Sequence, residues 1–257
     1  MSPDTASDMF DLTGKAAIVT GSTRGIGRAV AEALIAQGAR VVISSEDASD
    51  TARVAAELDQ PGICCDVTDD SALAQLVDGA CDAFGGIDIL VCNAGITGKP
   101  GPFATIDMDD YARVMDLNLR SQLVLANLAL PRIAARGGGS VMLMSSLSAL
   151  RGNGAINAYA LSKAALAQLA RNLAVEWGPR NVRVNAIAPG FIATPLSAPL
   201  MADEAFMARR MAMTPLRRPG RPEEIGGVAA FLASPAAAFI TGQTIVVDGG
   251  TLISDGS

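Results

Sequence analysis

Lys15-Ala-Ala-Ile-Val-Thr20-Gly21-Ser-Thr-Arg-Gly25-Ile-Gly27 reads as a buried strand, a glycine turn and the opening of a helix. The apolar run from Ala16 to Val19 shows no polar alternation, as in a parallel strand covered on both faces. Behind the turn, Ile26, Val30, Ala33 and Leu34 recur at helical spacing up to the stop at Gly38. The same strand-then-helix unit repeats outward from this stretch. Further strands are predicted at 40–44, 62–66, 87–92, 140–144, 182–187 and 244–247. Helices are predicted at 50–58, 71–84, 108–118 leading into 119–136, 159–177 and 223–232. Residues 191–219 read as irregular and rich in methionine. Alternation at this length predicts one doubly wound α/β domain with about seven parallel strands and helices on both faces. Residues 1–10 read as a flexible lead-in and residues 11–257 as the domain.

Of 257 residues, 50% are hydrophobic and 18% charged, which favours a large core over disorder. A net charge of -6 argues against nucleic acid or an anionic membrane as partner, since neither finds a basic surface. No charge-free apolar run is long enough to span a bilayer. The first eleven residues carry three aspartates and no base, unlike a secretory signal, so a cytoplasmic protein is expected. Cys64, Cys65, Cys81 and Cys92 form no CxxC pair and read as buried, reduced thiols. There is no histidine. That removes Ser-His-Asp and Cys-His hydrolases and His-ligated zinc, and no metal site is expected. Proton transfer is left to Tyr, Lys, Asp, Glu or Cys.

Tyr159-Ala-Leu-Ser-Lys163 opens a helix, so the phenol and the ammonium share one face. A cation beside a phenol favours the phenolate, and bringing its pKa from about 10 to near neutrality takes roughly 4 kcal/mol. Such a tyrosine is a plausible acid/base at physiological pH. A lone Tyr-x-x-x-Lys is usually only a helix surface; the rest of the chain decides. In the strand-to-helix turn, Gly21, Gly25 and Gly27 let backbone N–H groups approach a pyrophosphate at the helix N-terminus.

Together these motifs resemble the short-chain dehydrogenase/reductase family, over residues 11 to 252. Thr20-Gly21-Ser-Thr-Arg-Gly25-Ile-Gly27 matches its glycine motif, and Cys92-Asn93-Ala94-Gly95 its Asn-Asn-Ala-Gly motif with Cys92 replacing the first Asn. Asn118 sits where the family carries an active-site asparagine. Ser146 lies thirteen residues before Tyr159, as the family's catalytic serine does. Asn185-Ala-Ile-Ala-Pro189-Gly190 and Val247-Asp248-Gly249-Gly250 match later segments. The resemblance implies an NAD(P)-dependent oxidoreductase with Asn118, Ser146, Tyr159 and Lys163 as catalytic residues. It implies cofactor contacts from Gly21, Thr23, Arg24, Gly25, Ile26, Gly27, Ser45, Glu46, Asp66, Val67, Asn93, Ala94 and Gly95. Tyr159, Lys163, Pro189, Gly190, Ile192 and Thr194 complete that set. Lys163 is expected to lower the Tyr159 pKa and hold the nicotinamide ribose, Ser146 to donate to the substrate oxygen, and Asn118 to hold a relay water. Ser145 competes with Ser146 by adjacency, but strand residues alternate faces.

By the family pattern, an NAD-type aspartate would fall near Ser45 and an NADP-type arginine near Glu46; neither is present. Glu46 and Asp47 would repel a 2′-phosphate and Arg24 would attract one, a balance that leans to NAD. The resemblance implies that 191–219 is a flexible lid over the substrate, and its Leu196, Leu200, Met201, Phe206, Met207, Met211 and Met213 suit a secondary alcohol or ketone with a partly hydrophobic body. The rival substrate is a 3-oxoacyl thioester, and the rival class is a non-catalytic dinucleotide-binding sensor or scaffold. Many relatives are tetramers paired through the helices at 119–136 and 158–177, and a small-residue face (Ala158, Ala164, Ala165, Ala167) permits close helix approach.

Overall fold

The computed structural model describes residues 8–254. Its strands are β1 (Ala16–Thr20), β2 (Arg40–Ser44), β3 (Ile89–Cys92), β4 (Gly139–Met144), β5 (Val182–Pro189) and β6 (Thr244–Val247). They form one parallel sheet in the order β2-β1-β3-β4-β5-β6. The chain moves outward from β1 to β2, then returns to lay β3 on the other side of β1. That reversal opens a crevice at the carboxyl ends of β1 and β3, where doubly wound sheets bind ligands. The connecting helices are α1 (Gly25–Ala36), α2 (Ala48–Glu57), α3 (Asp70–Phe84), α4 (Met108–Met115), α5 (Ser121–Ala135), α6 (Ala158–Trp177), α7 (Ala198–Met201), α8 (Glu204–Ala212) and α9 (Pro222–Ala233).

The sheet has six strands rather than about seven. Residues 62–66 run beside β2, with Ile63 N–H donating to Ile43 O and Cys65 N–H to Ser45 O, each at 2.9 Å. Only Gly62 opposite Ile43 forms a bridge. The segment has a partner on one side alone, and Gly62, Cys64 and Asp66 are exposed, so pairing ends as the chain turns away. Cys64 is therefore at the surface and Cys81 half-buried, contrary to the expectation of four buried thiols. Cys65 and Cys92 are buried, and burial pushes both thiols up to about 12, which makes them inert packing groups.

Two apolar layers cover the sheet. Leu73, Leu76, Leu125, Leu130, Leu166 and Leu173 from α3, α5 and α6 close one face. Val30, Leu34, Ile225 and Leu232 from α1 and α9 close the other. A Cβ at Gly226 would stand 2.5 Å from the Ala29 carbonyl oxygen, so the α1–α9 approach requires glycine there.

Helix starts separate the scaffold from the crevice. Asp47, Asp69, Asp107 and Asp203 cap α2, α3, α4 and α8 by accepting from backbone N–H groups of the first turn. Each such cap stabilises its helix by about 1 kcal/mol. Helix α1 starts at Arg24, whose side chain caps nothing. Between α4 and α5, Asp116–Arg120 form a π-helical turn where a continuous helical run was expected. Of the lead-in, residues 1–7 lie outside the described residues; Asp8–Phe10 form a 3-10 turn, and the Phe10 ring lies 6.5 Å from that of Phe231.

Candidate active site

The glycine turn is a cradle with free donors. Gly21 and Gly25 adopt φ of +63° and +56°, a region that favours glycine. A Cβ on Gly27 would collide with the Gly21 carbonyl and come 2.5 Å from Asn93 Nδ2. The N–H groups of Gly25, Ile26 and Gly27 meet no acceptor among the described residues. Three unpaired donors at the positive end of a twelve-residue helix fit a dinucleotide pyrophosphate. Thr23 is buried beneath the turn, and Thr194 covers it, its Cβ 3.6 Å from where a Gly25 Cβ would be. The β3 loop closes the other wall. Asn93 Nδ2 donates to the Thr20 (2.9 Å) and Gly21 (3.2 Å) carbonyls, and Thr20 Oγ1 accepts from Asn93 N–H (3.0 Å) and Ala94 N–H (3.1 Å).

Ser146, Tyr159 and Lys163 meet between β4 and α6. Ser145 Oγ donates to the Lys163 carbonyl at 2.7 Å, so that hydroxyl is committed to the backbone. The Ser146 hydroxyl accepts from Ser148 N–H at 3.1 Å and lies near enough to the Tyr159 phenol to favour its ionised form. Lys163 is 3% exposed; its Nζ donates to the Met144 carbonyl at 2.7 Å and stands 5.5 Å from the Tyr159 ring centre. Burial pulls the Lys163 ammonium down to about 8. Burial raises Tyr159 above the ordinary phenol range, and Ser146 pulls the other way. The expectation that Lys163 brings the phenol down is thus corrected for the free chain: both groups are desolvated and the ammonium is turned to Met144. Tyr159 is a neutral phenol at neutral pH, ready to donate a proton.

At the far end of the crevice, Ser45 is buried, with its Oγ 3.1 Å from Thr51 Oγ1. Arg24 Nη2 lies 3.4 Å from Glu46 Oε1, with both side chains about two-thirds exposed (66% and 64%). Asp47 is spent on its cap, accepting from Asp50 N–H at 2.8 Å and Ser49 Oγ at 2.7 Å, so the acid count there falls to one. Asp66 Oδ1 accepts from Thr68 N–H and Oγ1, at 2.9 and 2.7 Å, and fixes the turn carrying buried Val67.

A profile described as enoyl-(acyl carrier protein) reductase matches residues 21–251. The 7alpha-hydroxysteroid dehydrogenase of Escherichia coli (strain K12) is 40% identical over 95% of this chain and 96% of its own. The chain belongs to the short-chain dehydrogenase/reductase family. It is an oxidoreductase that uses a nicotinamide dinucleotide to interconvert secondary alcohols and ketones. Two solved relatives carry cofactor. A 7alpha-hydroxysteroid dehydrogenase complexed with NADH and 7-oxo glycochenodeoxycholic acid superposes with TM-score 0.89 at 38% identity, covering 96% of this chain and 97% of its own. A gluconate 5-dehydrogenase from Burkholderia cenocepacia, in complex with NADP and tartrate, reaches TM-score 0.93 at 32% identity, covering 97% and 100%.

Against the family pattern, Asn118 is in place but occupied. Its Oδ1 accepts from Ile96 N–H at 2.9 Å, and its Nδ2 donates to the Ile96 carbonyl at 2.8 Å and to Ser162 Oγ at 3.1 Å. The carboxamide pins the β3 loop to α6. The π-helical turn aims it inward, and no sequence periodicity signalled that turn. Sequence reasoning also missed Thr20, Asn157 and Ser162. Asn157 caps α6 and donates to the Gly101 carbonyl at 3.1 Å, tying the start of the tyrosine helix to the β3 loop. Its signal, an Asn just before a helical run, was there to be read.

Pro189 ends β5, and Gly190 N–H donates to Val247 O at 2.9 Å. Ile192 then bridges Gly220, closing the base of an excursion from 193 to 219. This stretch is more ordered than expected, since α7 and α8 lie within it. Ser197 Oγ donates to the Ile192 carbonyl at 2.7 Å and fixes the Thr194 turn. A cavity of about 140 Å³ at the foot of the lid is lined by Phe191, Ile192, Thr214, Leu216 and Gly249 among others; none of the four expected catalytic residues lines it.

Proposed function

We propose that this chain reduces a ketone, or oxidises the corresponding secondary alcohol, with Tyr159 as the proton donor or acceptor. The observation that carries the reading is the Ser146–Tyr159–Lys163 cluster, with Ser146 and Lys163 buried and Tyr159 half-buried, at the same edge of the sheet as a phosphate cradle with free N–H donors. The bound dinucleotide supplies or accepts the hydride. In the reducing direction Tyr159 Oη releases its proton to the substrate oxygen, and the Ser146 hydroxyl donates to that oxygen as charge develops. The Lys163 ammonium stabilises the phenolate left behind. Asn118, Asn157 and Ser162 position these groups. Gly25, Ile26 and Gly27 hold the pyrophosphate, Asp66 and Val67 the adenine, Asn93 to Gly95 and Lys163 the nicotinamide side, and Pro189, Gly190, Ile192 and Thr194 its outer edge.

NAD is the preferred cofactor in this reading. Glu46 neutralises Arg24, and its second oxygen has no partner among the described residues and suits a ribose 2′-hydroxyl. The lid, 191–219, covers a substrate with a hydrophobic body. Exposed Leu123, Leu161 and Val175 on α5 and α6 support self-association through these helices as a cytoplasmic homotetramer. The small-residue face contributes less than expected to it, because Ala158 and Ala167 are already buried within the chain.

The test is a panel of secondary alcohols, ketones and one 3-oxoacyl thioester, offered with NAD(H) and NADP(H) and followed by nicotinamide absorbance. Turnover of the alcohol–ketone pairs supports the reading, and selective turnover of the thioester replaces the substrate. Cofactor binding without turnover of any compound favours the scaffold.

A further inference from the structure

The turn leaving β6, Asp248-Gly249-Gly250-Thr251, meets the lid at one buried point. Of residues 193–219, Thr214 alone is buried, at 3% exposure, and neither α7 nor α8 has a buried residue. On the facing side, Thr251 alone is buried between Ala238 and Ser254, at 2%. Thr214 Oγ1 and Thr251 Oγ1 stand 3.0 Å apart. Thr214 Oγ1 also donates to the Arg210 carbonyl of α8 at 2.9 Å, and Thr251 Oγ1 to the Asp248 carbonyl at 2.7 Å. Each hydroxyl has one proton, so these three contacts share two. The backbone follows the same seam. Leu216 N–H donates to the Gly249 carbonyl at 3.2 Å, and a Cβ on Gly250 would stand 2.8 Å from Pro215 Cγ. Asp248 keeps the turn in shape, its carboxylate accepting from Gly250 N–H at 2.8 Å and Leu252 N–H at 2.6 Å.

Elsewhere the lid is held at its base, where Ile192 bridges Gly220, and by half-buried rings, Phe206 of α8 lying 5.5 Å from Phe191. The cavity of about 140 Å³ touches Thr214, Asp248 and Gly249, so the seam itself is not packed solid. A segment with so few buried contacts opens locally at little cost. One buried hydroxyl pair can then decide what fraction of the lid lies over the crevice. The other root of the lid reaches the phosphate cradle, where the Thr194 Cβ covers Gly25. We infer that Thr251 is a positioning residue: through Thr214 it latches the lid over the crevice, and it thereby sets substrate affinity rather than the chemical step. Apparent affinity falls in proportion to the fraction of lid in place. The inference rests on the oxidoreductase reading above and adds the residue that holds its lid.

The experiment uses the whole chain as wild type, Thr251→Val, Thr251→Ser, Thr214→Val and the double Val variant. kcat and KM are measured with NADH for cyclohexanone, 2-octanone and 7-oxo glycochenodeoxycholic acid. In parallel, tryptic cleavage after Arg209, Arg210 and Arg217 in the lid is timed against cleavage after Arg53 and Arg171, exposed on α2 and α6. The latch predicts that either single Val variant raises KM about three- to tenfold, with kcat and NADH affinity changed less than about twofold. Lid cleavage speeds up by a similar factor. Thr251→Ser, which keeps the hydroxyl, stays near wild type. The double variant costs no more than one single variant, because both hydroxyls leave together. Thr251→Val matching wild type in KM and lid cleavage, or Thr251→Ser matching Thr251→Val, overturns the latch. So does a fall in kcat at constant KM, a double variant equal to the sum of the singles, or cleavage speeded equally at Arg53 and Arg171. If no ketone is turned over, the oxidoreductase reading falls, and lid cleavage still decides the latch.

Discussion

The Ser146–Tyr159–Lys163 cluster, between β4 and α6, and the Arg24–Glu46 pair, on the loops after β1 and β2, both lie at the carboxyl ends of the strands, yet they are held in opposite ways. In the first, Lys163 is 3% exposed and fixed to a backbone carbonyl, while Ser146 is tied to Ser148. In the second, two long side chains about two-thirds exposed approach to 3.4 Å with no other partner for either among the described residues. A buried, hydrogen-bonded group loses several kcal/mol when its partner goes, whereas an exposed ion pair is worth about 0–1 kcal/mol. Reaction type is therefore built firmly into this chain and cofactor choice only weakly.

That contrast predicts unequal responses. After loss of Tyr159 itself, the largest should come from Ser146→Ala, which removes the donor facing the developing oxyanion and should lower kcat about 10²- to 10³-fold with NADH affinity nearly kept. A loss below about threefold would move the donor elsewhere. Gly27→Ala comes next. Its Cβ collides with the Gly21 carbonyl, and thermal unfolding should show a loss of about 1–3 kcal/mol together with weaker NADH binding.

Lys163 gives a smaller effect with a definite sign. Its folded pKa of about 8 lies below the unfolded value of 10.5, so from pH 8 to 10.5 the unfolded chain binds more protons. Stability contributed by this group rises with pH across that window, by at most about 1.4 kcal/mol per pH unit. Tyr159, raised from 10.0, works the other way only above that pH. Denaturant titrations from about pH 8 to about pH 10 should show a shallower rise in Lys163→Met than in wild type; equal slopes would mean that Lys163 is solvated. The smallest change belongs to Glu46→Gln, which frees Arg24 and should raise the NADP-to-NAD ratio of kcat/KM by about fivefold or less. A hundredfold switch would show that the pair is far stronger than its exposure implies.

Legibility in the sequence follows the same division. The βα alternation, the glycine turn and the spacing of Ser146, Tyr159 and Lys163 are local patterns, and the structure brings them together as read. What the sequence did not disclose depends on tertiary context. The π-helical turn at Asn118 has no periodic signature, and the carboxamide's commitment to Ile96 and Ser162 exists only once β3 and α6 are packed. The segment at 62–66 has strand-forming residues but a partner on one side only. Glu46 and Asp47 looked equivalent until one became a helix cap and the other an arginine's partner.

The central claim is that Tyr159 moves the proton in this reaction. Its most direct test is turnover of a reactive ketone by Tyr159→Phe, measured beside NADH binding by the same variant. The account predicts a loss of about 10²- to 10⁴-fold in kcat with NADH affinity changed no more than a few-fold. Turnover equal to wild type, with cofactor bound as before, would contradict it.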